Sequence, residues 1–538
     1  MAKKPPPTAK KPAAGKRAAN KPAAPPPTAG FGSDPVVAPK SPAKYRARVR
    51  MYRHGLGDCF LVTFPRKGGE PPFQMLIDCG VLARDAQHMT RLAGHIRDTV
   101  RNDQPAGTPR LDVVVATHEH QDHLSGFNQA RAVFDDIDFG AVWLGWTENL
   151  TQPQIKKIKD AKKKAGDKLK EAKKKAEEKL KRGGSPAAAL AGSLDDLSAL
   201  FSFSADDDGP GSRTIAEALE YLKKRGKDAG GLEYLEPGTG PLPLDGVEGV
   251  RAYVLGPPRD PLLLKGSEVT EQLKKDGVVY HLAATGEAGT NALVAAFAAA
   301  AGVPEPDGDR YHPFAEEHRL TEKIPDPLDP RRPLKPNPYF DLVRPFINAT
   351  YNAPREKWRQ IDHDWLTAFG QLALDLDSDT NNTSLVLAFE FVGTGEVLLF
   401  VGDAQVGNWR SWANLEFKVP GREKPVPAHD LIARTVFYKV GHHCSHNATL
   451  KKGGLELMTR DDLVAFIPLD RATAKAKGRK DEHGVPKGWD MPAPPLHKAL
   501  LQRAGKRVVV SDTNDPLPPE ATGAGVLATG TYVDYFLE

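Results

Sequence analysis

Long apolar runs are missing from this 538-residue chain. No stretch approaches the ~18–20 consecutive apolar residues that a membrane helix needs. The nearest, residues 292–303, is short and alanine-rich and reads as a buried helix. The N-terminus carries positive charge with no apolar segment behind it, so a secretory signal is not expected. Cysteine is scarce. Cys59, Cys79 and Cys444 exclude a disulfide framework. Cys59 and Cys79 read as small buried residues, and a reducing cytoplasm is the expected location.

Net positive charge is confined to two segments. Residues 1–40 sum to +7 and residues 156–182 to +9, which leaves −11 for the rest of a chain whose total is +5. The body is therefore acidic. A protein that grips nucleic acid over a whole face would be more basic. The two segments are suited to non-specific phosphate contacts.

Residues 1–44 are a Lys/Ala/Pro mixture with almost nothing to bury, and a disordered tail is expected. Residues 45–538 form the expected folded domain, interrupted at about 150–230 and about 258–377. The first interruption holds a Lys-rich helix with a narrow seam (Ile158, Ala161, Ala165, Leu169, Ala172, Ala176, Leu180), read as a helical hairpin with a return near residues 187–200. The second is helical and Pro-rich, with an irregular stretch at residues 324–345. Elsewhere short apolar runs mark strands: ARVRMY, CFLVTF, FQMLIDCG, LDVVVAT, SLVLAFEF, EVLLFVGD, TVFYKVGH and LVAFIPL. A helix near residues 495–503 precedes a last strand at 507–511. Strands outnumber helices but helices are interspersed, so a mixed α/β protein is expected.

The chemistry concentrates at residues 117–126, THEHQDHLSG. His118, His120, Asp122 and His123 directly follow a buried apolar strand. A loop at a strand end lets side chains converge on a fixed scaffold. Alternate spacing points His118 and His120 the same way if the chain stays extended. Imidazole with carboxylate suits Zn²⁺, Mn²⁺ or Fe and not Ca²⁺. Two later strand tips add Asp403 (LLFVGDAQ) and the group His442, His443 and His446 (YKVGHHCSHN). A carboxylate at an apolar strand tip is costly unless solvated or paired with a cation.

These motifs resemble the metallo-β-lactamase-fold hydrolases. The likeness is greatest to soluble relatives of the C-terminal hydrolase domain of the DNA-uptake protein ComEC. Besides the HxHxDH loop, the matching pieces are Gly55 to Asp58 (a GxGD turn), Ile77-Asp78-Cys79-Gly80, Asn381-Asn382-Thr383-Ser384, Gly402-Asp403-Ala404 and His442-His443-Cys444-Ser445. They run in the expected order from residue 51 to about 450. No channel-forming membrane segment accompanies them.

The resemblance implies an αββα sandwich of two mixed sheets flanked by helices, with long insertions. It implies two divalent ions, zinc first, manganese or iron otherwise. His118 and His120 fall on metal one, and Asp122 and His123 on metal two. Asp403 bridges both, and His443 completes metal two, with His442 as the alternative. Asp78 orients the metal loop by hydrogen bonds without coordinating. Asp122 counts among the catalytic residues. So does His442, which, if not a ligand, is placed to stabilise developing charge or protonate the leaving group. Two positions depart from the pattern. Where family members supply a third histidine to metal one, this chain has Asn381, a weak ligand. His281, His312, His318 and His363 are substitutes that nothing in the sequence selects. Cys444 stands where the family has glycine, and reads as a spectator rather than a thiolate ligand.

The resemblance implies a hydrolase using a metal-activated water, on a phosphodiester first, as a phosphodiesterase or nuclease. A small ester, lactone or phosphocholine-type diester is the alternative substrate, because fold does not fix substrate. From another class comes a degenerate scaffold acting as a protein-interaction module. Expected partners are nucleic acid through segments 1–40 and 156–182, or a protein through the insertions, and no membrane.

Overall fold

The computed structural model describes residues 44–82, 86–104, 106–153, 214–264, 380–476, 488–512 and 515–538, with isolated positions at 42, 155, 156, 159, 160, 346, 349 and 350. The tail 1–40, nearly all of the lysine run and most of 258–377, including His281, His312, His318 and His363, lie outside the described residues.

The short apolar runs become strands. They are β1 (Ala47–Tyr52), β2 (Cys59–Phe64), β3 (Phe73–Cys79), β4 (Arg110–Ala116), β5 (Asp138–Gly145), β6 (Leu232–Leu235), β7 (Leu242–Leu244), β8 (Val247–Gly256), β9 (Val386–Phe391) and β10 (Val397–Phe400). After the small pair β11 (Glu416–Phe417) and β12 (Val426–Pro427) come β13 (Thr435–Lys439), β14 (Val464–Ile467), β15 (Val508–Val510), β16 (Val526–Ala528) and β17 (Tyr532–Leu537).

Two large sheets result. One has the order β16-β17-β1-β2-β3-β4-β5-β6, antiparallel up to β3 and parallel from β3 to β6. The other has the order β15-β14-β13-β10-β9-β8-β7, parallel from β15 to β10 and antiparallel beyond. Both sheets are mixed. Strands buried on both faces carry near-continuous apolar sequence, which is why β4 reads LDVVVA rather than alternating.

The sheets pack face to face. Phe60 of the first meets Phe400 of the second with ring centroids 6.0 Å apart, and Phe64 meets Phe389 at 5.6 Å. Each such ring, fully buried, contributes about 2–3 kcal/mol from apolar area. Helices α1 (Ala86–Asp103) and α2 (Gln121–Gln129) and the helix Ile215–Asp228 cover the outer face of the first sheet. The helices Val406–Ser411, Ala428–Ala433 and Pro494–Arg503 pack on the outer face of the second. The chain is thus α/β, with two large mixed sheets and helices outside them, an arrangement compatible with an αββα sandwich.

One boundary differs from expectation. Residues 215–228 lie inside the interruption expected at about 150–230, yet they belong to the body. Ile215, Ala218, Leu219 and Leu222 form a buried stripe, and a capping box between Thr214 and Glu217 starts the helix. β6 then pairs with β5.

Candidate metal centre

The chemistry gathers at one end of the sandwich, where β3, β4, β10 and β13 run out. β4 delivers Thr117 and His118. The chain then enters α2, so Asp122 and His123 occupy a first helical turn rather than an extended loop. Helical geometry turns this adjacent pair in different directions. Asp403 follows β10, and His443 lies in the turn after β13. His118, His120, Asp122, His123, Asp403 and His443 are all buried. The sequence reading therefore named six residues that converge from both sheets.

Hydrogen bonds fix them. Asp78 accepts from Thr117 N at 2.8 Å and Thr117 Oγ1 at 2.7 Å, and sits 2.8 Å from His123 Nδ1. It ties Thr117 and His123 together. His118 Nε2 lies 3.0 Å from His120 Nδ1, so this pair does converge. Ser384 ties the second sheet in, 3.3 Å from His118 Nδ1 and accepting from Asp403 N at 3.0 Å. His443 Nδ1 faces Pro468 O at 2.6 Å, and its Nε2 faces Asp122 Oδ2 at 2.8 Å. Asn381 is buried in the turn before β9, its carbonyl accepting from Ser384 N at 3.1 Å.

His442 plays a different part from His443. It is half-buried, and its backbone N–H donates to Asp403 Oδ1 at 2.9 Å. Its ring Nδ1 is held by Ser445 Oγ at 2.7 Å and the Gln405 amide at 3.1 Å. The turn is strained: His442, His443 and Cys444 have φ of 42°, 49° and 64°, a region that favours glycine. Strain of this kind collects where a backbone must present a functional side chain. The Cys444 side chain is buried in the apolar core over the second sheet, and burial pushes its thiol up. That fits a spectator.

Two site residues were missed by sequence reasoning. Asp58 was noted only as part of a turn, and Lys439 not at all. Both are buried, and they form an ion pair. The signal for Lys439 is a lone charge inside the apolar run TVFYKV.

Asp58, His123, Asp403 and His443 each offer a ligand atom, all within 4.8 Å of one another, so the group could hold a metal ion. Among the described residues, Asp58 Oδ1 and Asp122 Oδ1 are buried without a hydrogen-bond partner. Orphaned buried polar atoms of this kind want a ligand. The imidazole-and-carboxylate donor set fits a first-row divalent ion.

The electrostatics agree. Burial lowers His123, but Asp403, Asp58, Asp78 and Asp122 together hold it well above its ordinary value. Burial likewise lowers His443, and Asp122 and Asp403 reverse this. Burial raises Asp122, but His123 and His443 bring it down to about 2. The surrounding carboxylates thus favour the protonated form of both rings in metal-free protein. A metal must displace ring protons, so binding is expected to release protons at pH 7. Affinity should then fall as pH is lowered, by about tenfold per pH unit for each proton displaced. Calorimetry in buffers of different ionisation heat measures the release, and none at all would contradict the assignment. In metal-free protein the sign is opposite. The raised histidines contribute stability that is complete below about pH 6.5 and is lost as pH rises through their folded values.

Among the described residues no helix is long and apolar enough to cross a membrane. No family model, no curated protein and no solved structure matches the chain.

Proposed function

We propose that the chain is a metal-dependent hydrolase of the metallo-β-lactamase type, acting on phosphodiesters. One observation carries the reading: Asp58, His123, Asp403 and His443, drawn from both sheets, bring ligand atoms within 4.8 Å of one another in a buried site, with Asp122 beside His443. A degenerate scaffold would have no reason to keep four such groups buried and mutually supported, given the cost of burying unpaired charge.

In this reading Asp122, His123 and His443 would hold one ion, and His118 and His120 a second with Asn381 as a weak ligand, and Asp403 would serve both. Charge supports two ions. With the histidines neutral as metal ligands, Asp58, Asp78, Asp122 and Asp403 bring four negative charges and Lys439 one positive, leaving three for the ions to neutralise. When bound, the ions, zinc first and manganese or iron otherwise, supply Lewis acidity and lower the pKa of water. The protein holds the site dry and fixes its donors. Burial brings His442 to about 4, so it is neutral at pH 7 and serves by hydrogen bonding to developing charge or to the leaving oxygen.

A polyanionic substrate is supported by the lysine run. Its member Lys159 is paired with Glu119, which lies between His118 and His120, and with Glu148. The run therefore starts beside the metal loop. The test is metal analysis of the purified protein followed by assays on bis-p-nitrophenyl phosphate and on single- and double-stranded nucleic acid. Bound metal with diester cleavage is the expected result. Bound metal with hydrolysis of no diester would remove the phosphodiester reading and keep the metal centre, and absence of metal would remove both.

A further inference from the structure

Lys439 is a buried ammonium inside a candidate metal centre. Its three donors meet three acceptors: Asp58 Oδ2, the Gly402 carbonyl at 2.6 Å and Asp403 Oδ1 at 3.3 Å. An ammonium offers three donors and no more, so this seat is complete. Two explanations compete. Either Lys439 occupies a place that metal would take, with Asp58 as a ligand, or it belongs there permanently.

The orientation of the histidines decides between them. Asp58 approaches both rings from their Nδ1 edges, 3.8 Å from His123 and 4.0 Å from His443. Those edges are already committed, to Asp78 and to Pro468 O. Asp403 Oδ2 and Asp122 Oδ2 approach from the Nε2 edges. Asp403 lies 3.2 Å and 4.0 Å from the two Nε2 atoms, and Asp122 3.9 Å and 2.8 Å. An ion bound by the two Nε2 atoms thus faces Asp122 and Asp403 and has the imidazole rings between itself and Asp58. The Asp403 carboxylate is divided accordingly. Oδ1 is taken by Lys439 and by His442 N, and Oδ2 is turned toward His123 Nε2.

We infer that Lys439 is a resident cation of the site, with Asp58 as its counter-ion, and that this pair positions Asp403 for metal without either residue coordinating it. Lys439 is a positioning residue. Its strand places a fixed positive charge beneath the carboxylate, so Asp403 is held as a one-oxygen ligand. The inference rests on the proposed metal centre, but the pair itself can be tested without metal.

The test is a cycle of Lys439→Met, Asp58→Asn and the double variant. Each is checked for folding by circular dichroism and then titrated with Zn²⁺ against a chromophoric chelator. Removing either partner leaves the other's buried charge uncompensated. Each single variant is therefore expected to bind Zn²⁺ about 10- to 100-fold more weakly, the usual cost of losing a ligand's hydrogen-bond partner. The double variant removes a neutral pair and is expected to bind more tightly than Asp58→Asn alone. If Asp58 is a ligand, the double variant binds as weakly as Asp58→Asn or more so, and the inference is overturned. Tighter binding by Lys439→Met than by wild type overturns it equally, because Lys439 would then be a placeholder. If Lys439→Met does not fold, the comparison of Asp58→Asn with the double variant still decides. If wild type binds no Zn²⁺, the metal centre fails, and the same cycle read by urea unfolding decides the pair. A double variant more stable than Asp58→Asn keeps it, and one no more stable discards it.

Discussion

Asp403→Ala is expected to abolish diester hydrolysis, lowering it by about three orders of magnitude, and to lose bound metal. The size follows from the number of roles one carboxylate fills. Its Oδ2 faces His123 Nε2 at 3.2 Å, and its Oδ1 accepts from His442 N at 2.9 Å and from Lys439. Alanine removes a ligand common to both proposed ions, releases the turn that carries His442 and His443, and leaves Lys439 with only Asp58 and the Gly402 carbonyl. Metal analysis and a rate on bis-p-nitrophenyl phosphate check it together. Variant protein that keeps wild-type metal content would show that Asp403 is not the bridge. Its strand would still form, because β10 is stabilised by its neighbours β9 and β13.

Gly80→Ala is expected to destabilise the fold by about 3 kcal/mol or more. A Cβ at Gly80 would lie 2.3 Å from His123 N and 2.4 Å from Asp122 C. Both are backbone atoms of the first turn of α2, held from two sides and unable to swing away. Asp58 N donates to Asp122 O at 2.9 Å, and Gly80 N to Asp58 O at 3.1 Å. Gly57 is locked into the same crossing, since its own Cβ would lie 2.3 Å from Gly80 O. Three chain segments touch backbone to backbone here. A side chain at Gly80 must therefore displace the turn that carries two proposed ligands. Urea unfolding measures the loss, and a cost below about 1 kcal/mol would show that the crossing gives way. The same geometry explains why GLGD and IDCG accompany a His/Asp loop in the sequence: their glycines admit the close approach that the loop requires.

The parts of the molecule that proved legible share a physical cause. β2, β3, β4, β9, β10, β13 and β14 are buried on both faces, so their residues form apolar runs that stand out from polar surroundings. His118, His123, Asp403 and His443 were visible because they break those runs at their ends. α1 was not visible. Its buried positions Met89, Leu92, Ala93, Ile96 and Val100 keep helical spacing, but thirteen other residues, mostly polar or charged, dilute them. β17 escaped because Asp534 interrupts YVDYFL, and a buried carboxylate argues against a core strand until its partner is known. Arg50 is that partner, bidentate at 2.7 Å, from far away in sequence. Lys439 escaped for the same reason. A buried charge makes sense only with its counter-charge, and pairing across distant segments is information that a linear reading does not contain.

That Arg50–Asp534 pair has a consequence for how the molecule comes into being. β1 lies between β2 and β17 in the sheet, and its partner residues are separated by 484 positions. During synthesis β1 and β2 emerge early, and one rim of β1 then stays bare until almost all of the chain described here has been made. Pairings this distant in sequence form slowly, and an open rim invites other strands. The nascent protein therefore spends most of its synthesis time with a vacant docking edge, and it is in that interval that a chaperone would matter most.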